Sequence, residues 1–360
     1  MKVFDFVVIG AGIAGFLSAY RLKEFNTLLI DKKGILEGAS GAAGAFLFPK
    51  IGFDSSYTRY INNSIIEALK FYKNLDIDTH TKGVLLLPRD DRDIEKFKQY
   101  EKEIRLPFKK LNGGFFFDIG SIVEVDEVRK KIKVNFKQIE VKKIEFKDDI
   151  WIINDEIKTK NVILATGYEK IVDIPYINIR PVWGERIELN GKSKTDNEKL
   201  DIYYHKNCSL AFVNNKFRIG ATHKRNCLEC RENLEEAEYL IKKANEIMEI
   251  SGEIVSIKGG QRAASVDYFP IVGKIIDVDR TLLENKHIVK GEMPKKIFYK
   301  KGLYIINGMG GRGFSNAVSA SQMLKEVILE SKESILDSKR LFVKWARREG
   351  ERYLNEKLKV

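Results

Sequence analysis

Apolar and polar positions fall along the chain in runs that predict its elements. Phe6, Val7, Val8 and Ile9 are consecutive apolar residues, as in a strand buried on both faces of a parallel sheet. Ile13, Phe16, Leu17 and Tyr20 then recur at helical spacing, and Leu28, Leu29 and Ile30 restore a buried strand that ends in Asp31. The spacing of Tyr57, Ile61, Ile65, Leu69 and Tyr72 predicts an amphipathic helix over 55–75. Strands are predicted over 83–88 and 114–119, helices over 91–104 and 123–132, and strand-like segments between charged turns over 134–157. Residues 161–167, NVILATG, read as a buried strand stopping at a glycine turn. From 175 to 300 strands dominate, at 183–189, 200–204, 210–213 and 217–221, with one long helix at 233–250. A buried strand at 302–306, the turn NGMGGRGF at 307–314 and a helix at 315–330 follow.

Two strand–turn–helix units therefore bracket the chain. In the first, Gly10, Gly12 and Gly15 form GxGxxG. Gly10 permits the tight turn, Gly12 lets backbone approach a pyrophosphate, and Gly15 lets helix and strand pack closely. The helix start at Ile13 and Ala14 offers unpaired N–H groups to phosphate, and Asp31 is placed to accept ribose hydroxyls. The stretch after Asp31 is rich in Gly, Ala and Ser. Ser40, Gly41 and their neighbours suit a backbone winding past a flat ligand. Thr166 and Gly167 at the middle strand's end, with Gly310, Gly311, Gly313 and Phe314 in the closing turn, complete the expected cofactor-binding set. The first unit alone leaves NAD and FAD both open.

The 360 residues suggest two domains. No run of about 18 uncharged apolar residues exists, so no membrane span is expected. Residues 1–3 lead straight into the first strand, so no signal peptide is expected. Three cysteines cannot form a disulfide framework, which favours a reducing cytoplasm. Cys227 and Cys230 form CxxC, with Cys208 and His223 upstream. Zinc or redox chemistry could be built from these, but free reduced thiols and no metal are the expectation. His80, His205, His223 and His287 are expected on surfaces or loops, and no serine–histidine–acid set stands out. A net charge of +12 suits a polyanionic partner, although solvated faces of a lysine-rich chain would give the same figure. Arg340, Lys344, Arg347 and Arg348 share one helical face, and Leu341 and Trp345 share another. That arrangement suits docking on the body plus phosphate contact. A second cluster, Arg129 to Lys133, is expected to be solvated.

Four segments, in order, carry a family resemblance: VVIGAGIAG with Asp31, GASGAAGA, VILATG, and the pair GGQRAASVDYFPIVG and NGMGGRGFSNA. Together they resemble the FAD-dependent amine oxidases of the D-amino-acid oxidase, glycine oxidase and sarcosine oxidase type. GASGAAGAFLFPKIG, FRIGATH before a glutamate-rich helix start, RAASVDYFPIVG, MGGRGFSNA and the tail KRLFVKWARR resemble something narrower. They are similar to the oxidase domain of the bifunctional bacterial enzymes that modify the wobble uridine of tRNA (FAD-dependent 5-carboxymethylaminomethyl-uridine oxidoreductase).

The resemblance implies an α/β fold, a Rossmann-like two-dinucleotide-binding flavoprotein domain with an inserted sheet-based α+β substrate domain. The flavin domain is expected from 1–52, 115–175 and 301–335, the substrate domain from 53–114 and 176–300, and a basic C-terminal helix over 336–360. FAD is expected to be non-covalent, because no Cys or His stands where related oxidases attach it. The implied reaction removes the carboxymethyl arm of 5-carboxymethylaminomethyl-(2-thio)uridine in the anticodon region of tRNA, giving the aminomethyl form and glyoxylate. Arg262 matches the family's carboxylate-gripping arginine, and Arg312 would lie close to the flavin's pyrimidine end, to complete the clamp or polarise the ring. Tyr204 and Tyr268 are candidate wall residues or ordinary packing. Arg340, Lys344, Arg347 and Arg348 would contact the nucleic acid. The flavin domain begins at residue 1, so a stand-alone oxidase half is expected, with methylation left to a separate methyltransferase. A small-molecule glycine or sarcosine oxidase, and a non-catalytic nucleic-acid-binding protein of this fold, stay open as alternatives.

Overall fold

The computed structural model describes residues 3–193, 201–290 and 292–357. Leu200 of an expected strand and Lys359 of the basic tail lie outside them. The protein has two large sheets. The first runs, in spatial order, Ile271–Ile276, Tyr299–Asn307, Ile157–Leu164, Phe4–Ile9, Thr27–Asp31 and Phe136–Gln138, with a hairpin of Ile144–Lys147 and Ile150–Ile153 against Ile157–Leu164. From Tyr299–Asn307 to Phe136–Gln138 the neighbours are parallel. Both faces are covered, which is why Val7, Val8, Leu29, Val162 and Ile163 are apolar in unbroken runs and have no exposed surface or almost none. Strand ends Ile9 and Leu164 pair with each other, and Leu164 pairs with Ile305. The two glycine turns and the 165–167 turn therefore share one edge of the sheet, where ligands sit in open α/β folds.

Among the described residues the second sheet has nine strands, built on the full-length antiparallel pairing of Ile179–Ser193 with Ile250–Ser265. Lys216–Gly220, Ser209–Val213, Tyr203–His205, Val84–Leu86 and Gly114–Phe117 extend it. The helix Leu234–Asn245 buries Ala237 and Leu240 against Ile187 and Phe217 on one face.

The boundaries between the two lobes differ from the sequence-based division. The helix Ser56–Lys73, expected with the substrate domain, packs Tyr60, Ile61, Ile65 and Tyr72 against Phe16, Leu17 and Phe314 of the flavin lobe. Tyr72 also donates from its hydroxyl to the Phe314 carbonyl at 2.8 Å. Each fully buried side chain of this kind contributes roughly 2 kcal/mol, so this apolar stripe commits the helix to that lobe. Strand Ile271–Ile276 pairs with Tyr299–Asn307 and belongs to the first sheet, while Gly114–Phe117 belongs to the second. The helix Lys339–Lys357 covers the first sheet's other face, with Leu341, Phe342 and Ala346 packed near Leu282, Ile288 and Val7.

Candidate active site

A cavity of about 1200 Å³ opens at the shared strand edge and is lined from both sheets. Gly10 has φ +103°, and a Cβ there would lie 2.3 Å from the Ala165 oxygen. A Cβ at Gly15 would lie 1.9 Å from the Gly10 oxygen, so the helix Ile13–Arg21 sits directly on the turn. Gly12 begins that helix with no side-chain cap, and the Ile13 N–H donates to Ser40 Oγ at 2.9 Å. Asp31 Oδ2 accepts the Ala11 N–H at 2.8 Å and Oδ1 the Lys33 N–H at 2.7 Å. The carboxylate thus braces the turn while lining the cavity, with lone pairs to spare for a hydroxyl donor. Asn307 ties the closing turn to the middle one by donating from Nδ2 to the Gly167 oxygen at 2.8 Å. The helix Gly313–Glu330 also starts at the cavity without a side-chain cap. Two helix N-termini facing one cavity favour anionic groups there.

Beyond the glycine turns, two arginines stand in the wall. Arg262 lies on Ile250–Ser265, and its guanidinium crosses Gly184 of the paired strand so closely that a Cβ would fall 1.9 Å from Nη2. Nη1 donates to the Thr222 oxygen and to His223 Nδ1, each at 3.2 Å. His223 is therefore neutral with Nδ1 accepting; burial and then the Arg262 charge lower its pKa. Arg262 has no carboxylate partner among the described residues, and burial brings its guanidinium down to about 10. Gly310 N–H donates to the Ala263 oxygen at 2.8 Å, which sets the closing turn beside Arg262. Arg312, in that turn, donates from Nη1 to the Phe48 oxygen at 2.6 Å and likewise has no carboxylate partner among the described residues. Burial lowers its pKa, with Tyr57 opposing. Lys50 lies 5.7 Å above the Tyr57 ring, and burial followed by the Arg312 charge lowers its pKa too. Enclosing two guanidinium groups without counter-charges is costly, so the stretch of wall carrying Arg262 and Arg312 suits an anionic ligand. His205 opens onto the cavity and keeps exposed surface there. Burial, then Arg312 and Arg89, bring its pKa to about 4, so it adds no further positive charge at neutral pH.

Comparison with known proteins fits this geometry. The family described as FAD dependent oxidoreductase matches residues 5–131 and 128–327. The chain belongs to that family. Among curated relatives, the tRNA 5-methylaminomethyl-2-thiouridine biosynthesis bifunctional protein MnmC of Legionella pneumophila (strain Corby) is 25% identical over 365 residues, covering 89% of this chain and 54% of that protein. The protein of the same name from Actinobacillus pleuropneumoniae is 21% identical, covering 91% of this chain and 56% of its own. The chain thus spans about half the length of these relatives. Among solved structures, glycine oxidase from Geobacillus kaustophilus superposes with a TM-score of 0.72 at 16% identity, over 93% of this chain and 96% of that one. Iminodiacetate oxidase from Chelativorans sp. BNC1 gives 0.73 at 14% identity, over 92% and 96%. The fold is the α/β flavoprotein fold of these oxidases, and the protein is a member of the FAD-dependent oxidoreductase family.

The residues present fit FAD. Gly10, Gly12, Ile13, Ala14, Asp31 and Ser40 line one stretch of the cavity. Thr166 and Gly167 line the middle, and Gly310, Gly311, Arg312, Gly313 and Phe314 line the end nearest Arg262. Gly15 and Gly41 are placed differently. Gly15 packs beneath the turn, and Gly41 faces the Leu36 oxygen and borders a second cavity outside the loop. Tyr268 lines the main cavity, whereas Tyr204 is buried in the core of the second sheet with Leu85 and Leu210.

Three expectations need correction. His205 ends the strand Tyr203–His205 and lines the cavity rather than lying in a loop, whereas His223 does lie exposed in a loop, one that borders the same cavity. The available signal for His205 was its strand face, shared with Tyr203, which meets Phe48 at ring distances of 5.9 Å and 6.4 Å. Cys227 and Cys230 are joined in a disulfide, because the chain reversal brings their Cα atoms to 5.5 Å; only Cys208 is free, and it is buried. Among the described residues no group of three or more His, Cys, Asp or Glu is placed to hold a metal.

The third correction is in the tail. Lys344, Arg347 and Arg348 project from the helix Lys339–Lys357 as exposed cations. Arg340 does not join them. Its guanidinium bonds both Asp267 oxygens, at 2.8 and 3.2 Å, and the carbonyls of Leu336, Asp337, Phe269 and Pro270. It fastens the tail helix to the loop carrying Tyr268 and has no donor left for phosphate. Arg340→Ala should therefore lower unfolding stability by about 2–3 kcal/mol at neutral pH, read from urea midpoints. Burial raises the Asp267 pKa, but the Arg340 bond and charge carry it below 3.8. A depressed carboxylate adds stability above its unfolded pKa and loses it as pH falls through the folded one, so the difference between variant and parent should shrink below about pH 4. Equal midpoints at pH 7 would remove Arg340's structural role.

Proposed function

We propose that this protein oxidises the carboxymethylamino arm of 5-carboxymethylaminomethyl-(2-thio)uridine at the wobble position of tRNA, in the cytoplasm. The products are the 5-aminomethyl nucleoside and glyoxylate. One observation carries the reading: Arg262 and Arg312 face the cavity as enclosed guanidinium groups with no carboxylate partner among the described residues. A substrate carboxylate supplies the missing charge, and each planar fork can hold it in two bonds. With the carboxylate held, the carbon between it and the amine is fixed in place, which is the main service a protein renders in such a reaction. FAD, held without a covalent link by the glycine turns and Asp31, would supply the two-electron acceptor for a hydride from that carbon. The amine lone pair closes a C=N bond, water adds to it, and the C–N bond breaks to give glyoxylate and the primary amine. His205 and His223, both neutral, line the site without adding repulsion to an amine that must itself be neutral. The uncapped start of Gly313–Glu330 directs N–H dipoles at the same region and favours developing negative charge.

The named activity of the similar bifunctional proteins supports tRNA, as do the exposed cations Lys344, Arg347 and Arg348. Likeness in fold to glycine oxidase supports a second reading, a free glycine or sarcosine oxidase. Aldehyde release, read as glyoxylate and, for sarcosine oxidised at its methyl, as formaldehyde, separates the two without assuming an electron acceptor. The holoenzyme should release glyoxylate from tRNA carrying the carboxymethylaminomethyl group far faster than it releases either aldehyde from millimolar free glycine or sarcosine. Rapid turnover of free glycine with no change in the tRNA nucleoside would overturn the proposal. Reversing Arg347 and Arg348 to Glu should weaken tRNA binding and flatten its salt dependence, while glyoxylate release from the free modified nucleoside stays at the parent rate. Unaltered binding would place the tRNA surface elsewhere.

A further inference from the structure

The loop carrying Cys227 and Cys230 is part of the active-site wall. Leu228 and Cys230 line the cavity, and Leu228 is 63% exposed. The loop is fastened along its length to the strands that carry the site. Lys224–Arg225 pairs with Val182 and Trp183, and the Asn226 N–H donates to the Pro181 oxygen at 3.3 Å. Glu232 Oε1 accepts the Gly259 N–H at 3.0 Å, and the Asn233 N–H donates to the buried Glu185 at 3.3 Å. Between these anchors the Cys227 carbonyl accepts from Gln261 Nε2. Gln261 precedes Arg262, and its buried Oε1 has no hydrogen-bond partner among the described residues. The amide is thus pinned by the loop alone.

We propose that Cys227–Cys230 is a thiol–disulfide exchange site for a dithiol reductant, and that its redox state sets how firmly the wall beside Arg262 is held. The ring joins residues only three apart in sequence, so it restrains little of the unfolded chain and is not a staple on which the fold depends. Both cysteines are partly exposed, and access together with the CxxC spacing favours exchange. A thiolate of the reductant attacks one Sγ, the S–S bond breaks, and the other cysteine leaves as a thiolate that takes a proton. The second thiol of the reductant then attacks the mixed disulfide. The protein gains two electrons and two protons as two thiols, and the reductant departs as its own disulfide. Opening the ring frees residues 226–231, releases the Cys227 carbonyl from Gln261 and loosens the position of Arg262. The consequence for carboxylate binding rests on the function proposed above; the exchange itself does not.

The test uses the holoenzyme before and after treatment with dithiothreitol. Maleimide labelling should gain two sites on reduction, at Cys227 and Cys230. Trypsin should cut after the exposed Arg225 and Arg231 several-fold faster in the reduced protein. The dissociation constant of glycolate, a simple carboxylate probe followed by flavin absorbance, should rise roughly threefold to tenfold. A Cys227→Ser, Cys230→Ser double variant should give the reduced values and ignore the reductant. Failure of excess dithiothreitol to expose two thiols would overturn the exchange site. Two new thiols with unchanged cleavage would overturn the link to the wall. Absence of glycolate binding in both states would count against the carboxylate reading alone, and the proteolysis would still decide this proposal.

Discussion

Arg262→Ala should purify with its FAD and lose about 100-fold to 1000-fold in kcat/KM toward carboxylated amines, roughly 3–4 kcal/mol of transition-state binding. Retention of FAD follows from what Arg262 touches. Its own bonds go to the Thr222 oxygen and His223, not to the glycine turns or Asp31. The loss follows from geometry and charge, since a carboxylate left in this enclosed site without its fork is a buried anion short of a partner. Stability supplies the discriminating readout. A guanidinium held in an ion pair would destabilise the protein when removed. Arg262 is enclosed with neutral acceptors only, and burial already lowers its pKa to about 10. Deleting it should therefore leave the thermal midpoint unchanged or raise it, as happens where function strains a fold. Arg262→Lys restores charge without the planar fork and should recover only part of the loss. Parent-like kcat/KM in the alanine variant would end the carboxylate role; a large fall in midpoint with lost FAD would make Arg262 a structural residue.

The parts of this molecule legible in the sequence are those where one physical demand acts alone. Strand Phe4–Ile9 is covered on both faces, so its apolar run is unbroken, and the turn after it needs glycine on steric grounds at Gly10 and Gly15. The helix Ser56–Lys73 was legible as a helix from its stripe, but a stripe does not say which lobe it will meet. The strand Ile250–Ser265 was not legible over most of its length. Its sequence mixes charge with glycines whose reason is tertiary: Gly259 lies under the Trp183 ring and Gly260 against Ala39. Arg262 was legible only through family resemblance, because the cue that locates it physically, Gly184 beneath its guanidinium, sits on a different strand. Arg340 misled because a basic helical face looks the same whether its cations meet solvent or a half-buried Asp267. The histidines of the site hid for a related reason, since the pKa of His205 is lowered by burial first and then by Arg312 and Arg89, both remote in sequence.

The three glycines of the first turn, alike in sequence, should fail in different ways, and Gly15→Ala should fail most severely. A Cβ at Gly15 would stand 1.9 Å from the Gly10 oxygen and 3.0 Å from Ala165 Cβ. The nearest of these is backbone at the end of the central strand, which cannot swing aside as a long side chain would. The helix Ile13–Arg21 must lift, and with it go the contacts of Phe16 and Leu17, both fully buried. The expected cost is about 3–5 kcal/mol of stability in the apoprotein, before any cofactor is considered. The same displacement carries the helix N-terminus away from the phosphate position, so the protein should purify colourless. Gly12→Ala is the informative contrast. Its Cβ would meet only Ser40 Oγ, at 3.3 Å, a side chain able to yield. Apoprotein stability should then fall by less than about 1 kcal/mol, while FAD affinity drops because the added methyl stands where backbone must approach the pyrophosphate. The measurements are the FAD-to-protein ratio and the thermal midpoint of each apoprotein. A yellow Gly15→Ala protein with the parent midpoint would show that the helix does not rest on the turn, and a Gly12→Ala protein with undiminished FAD affinity would move the pyrophosphate off this helix.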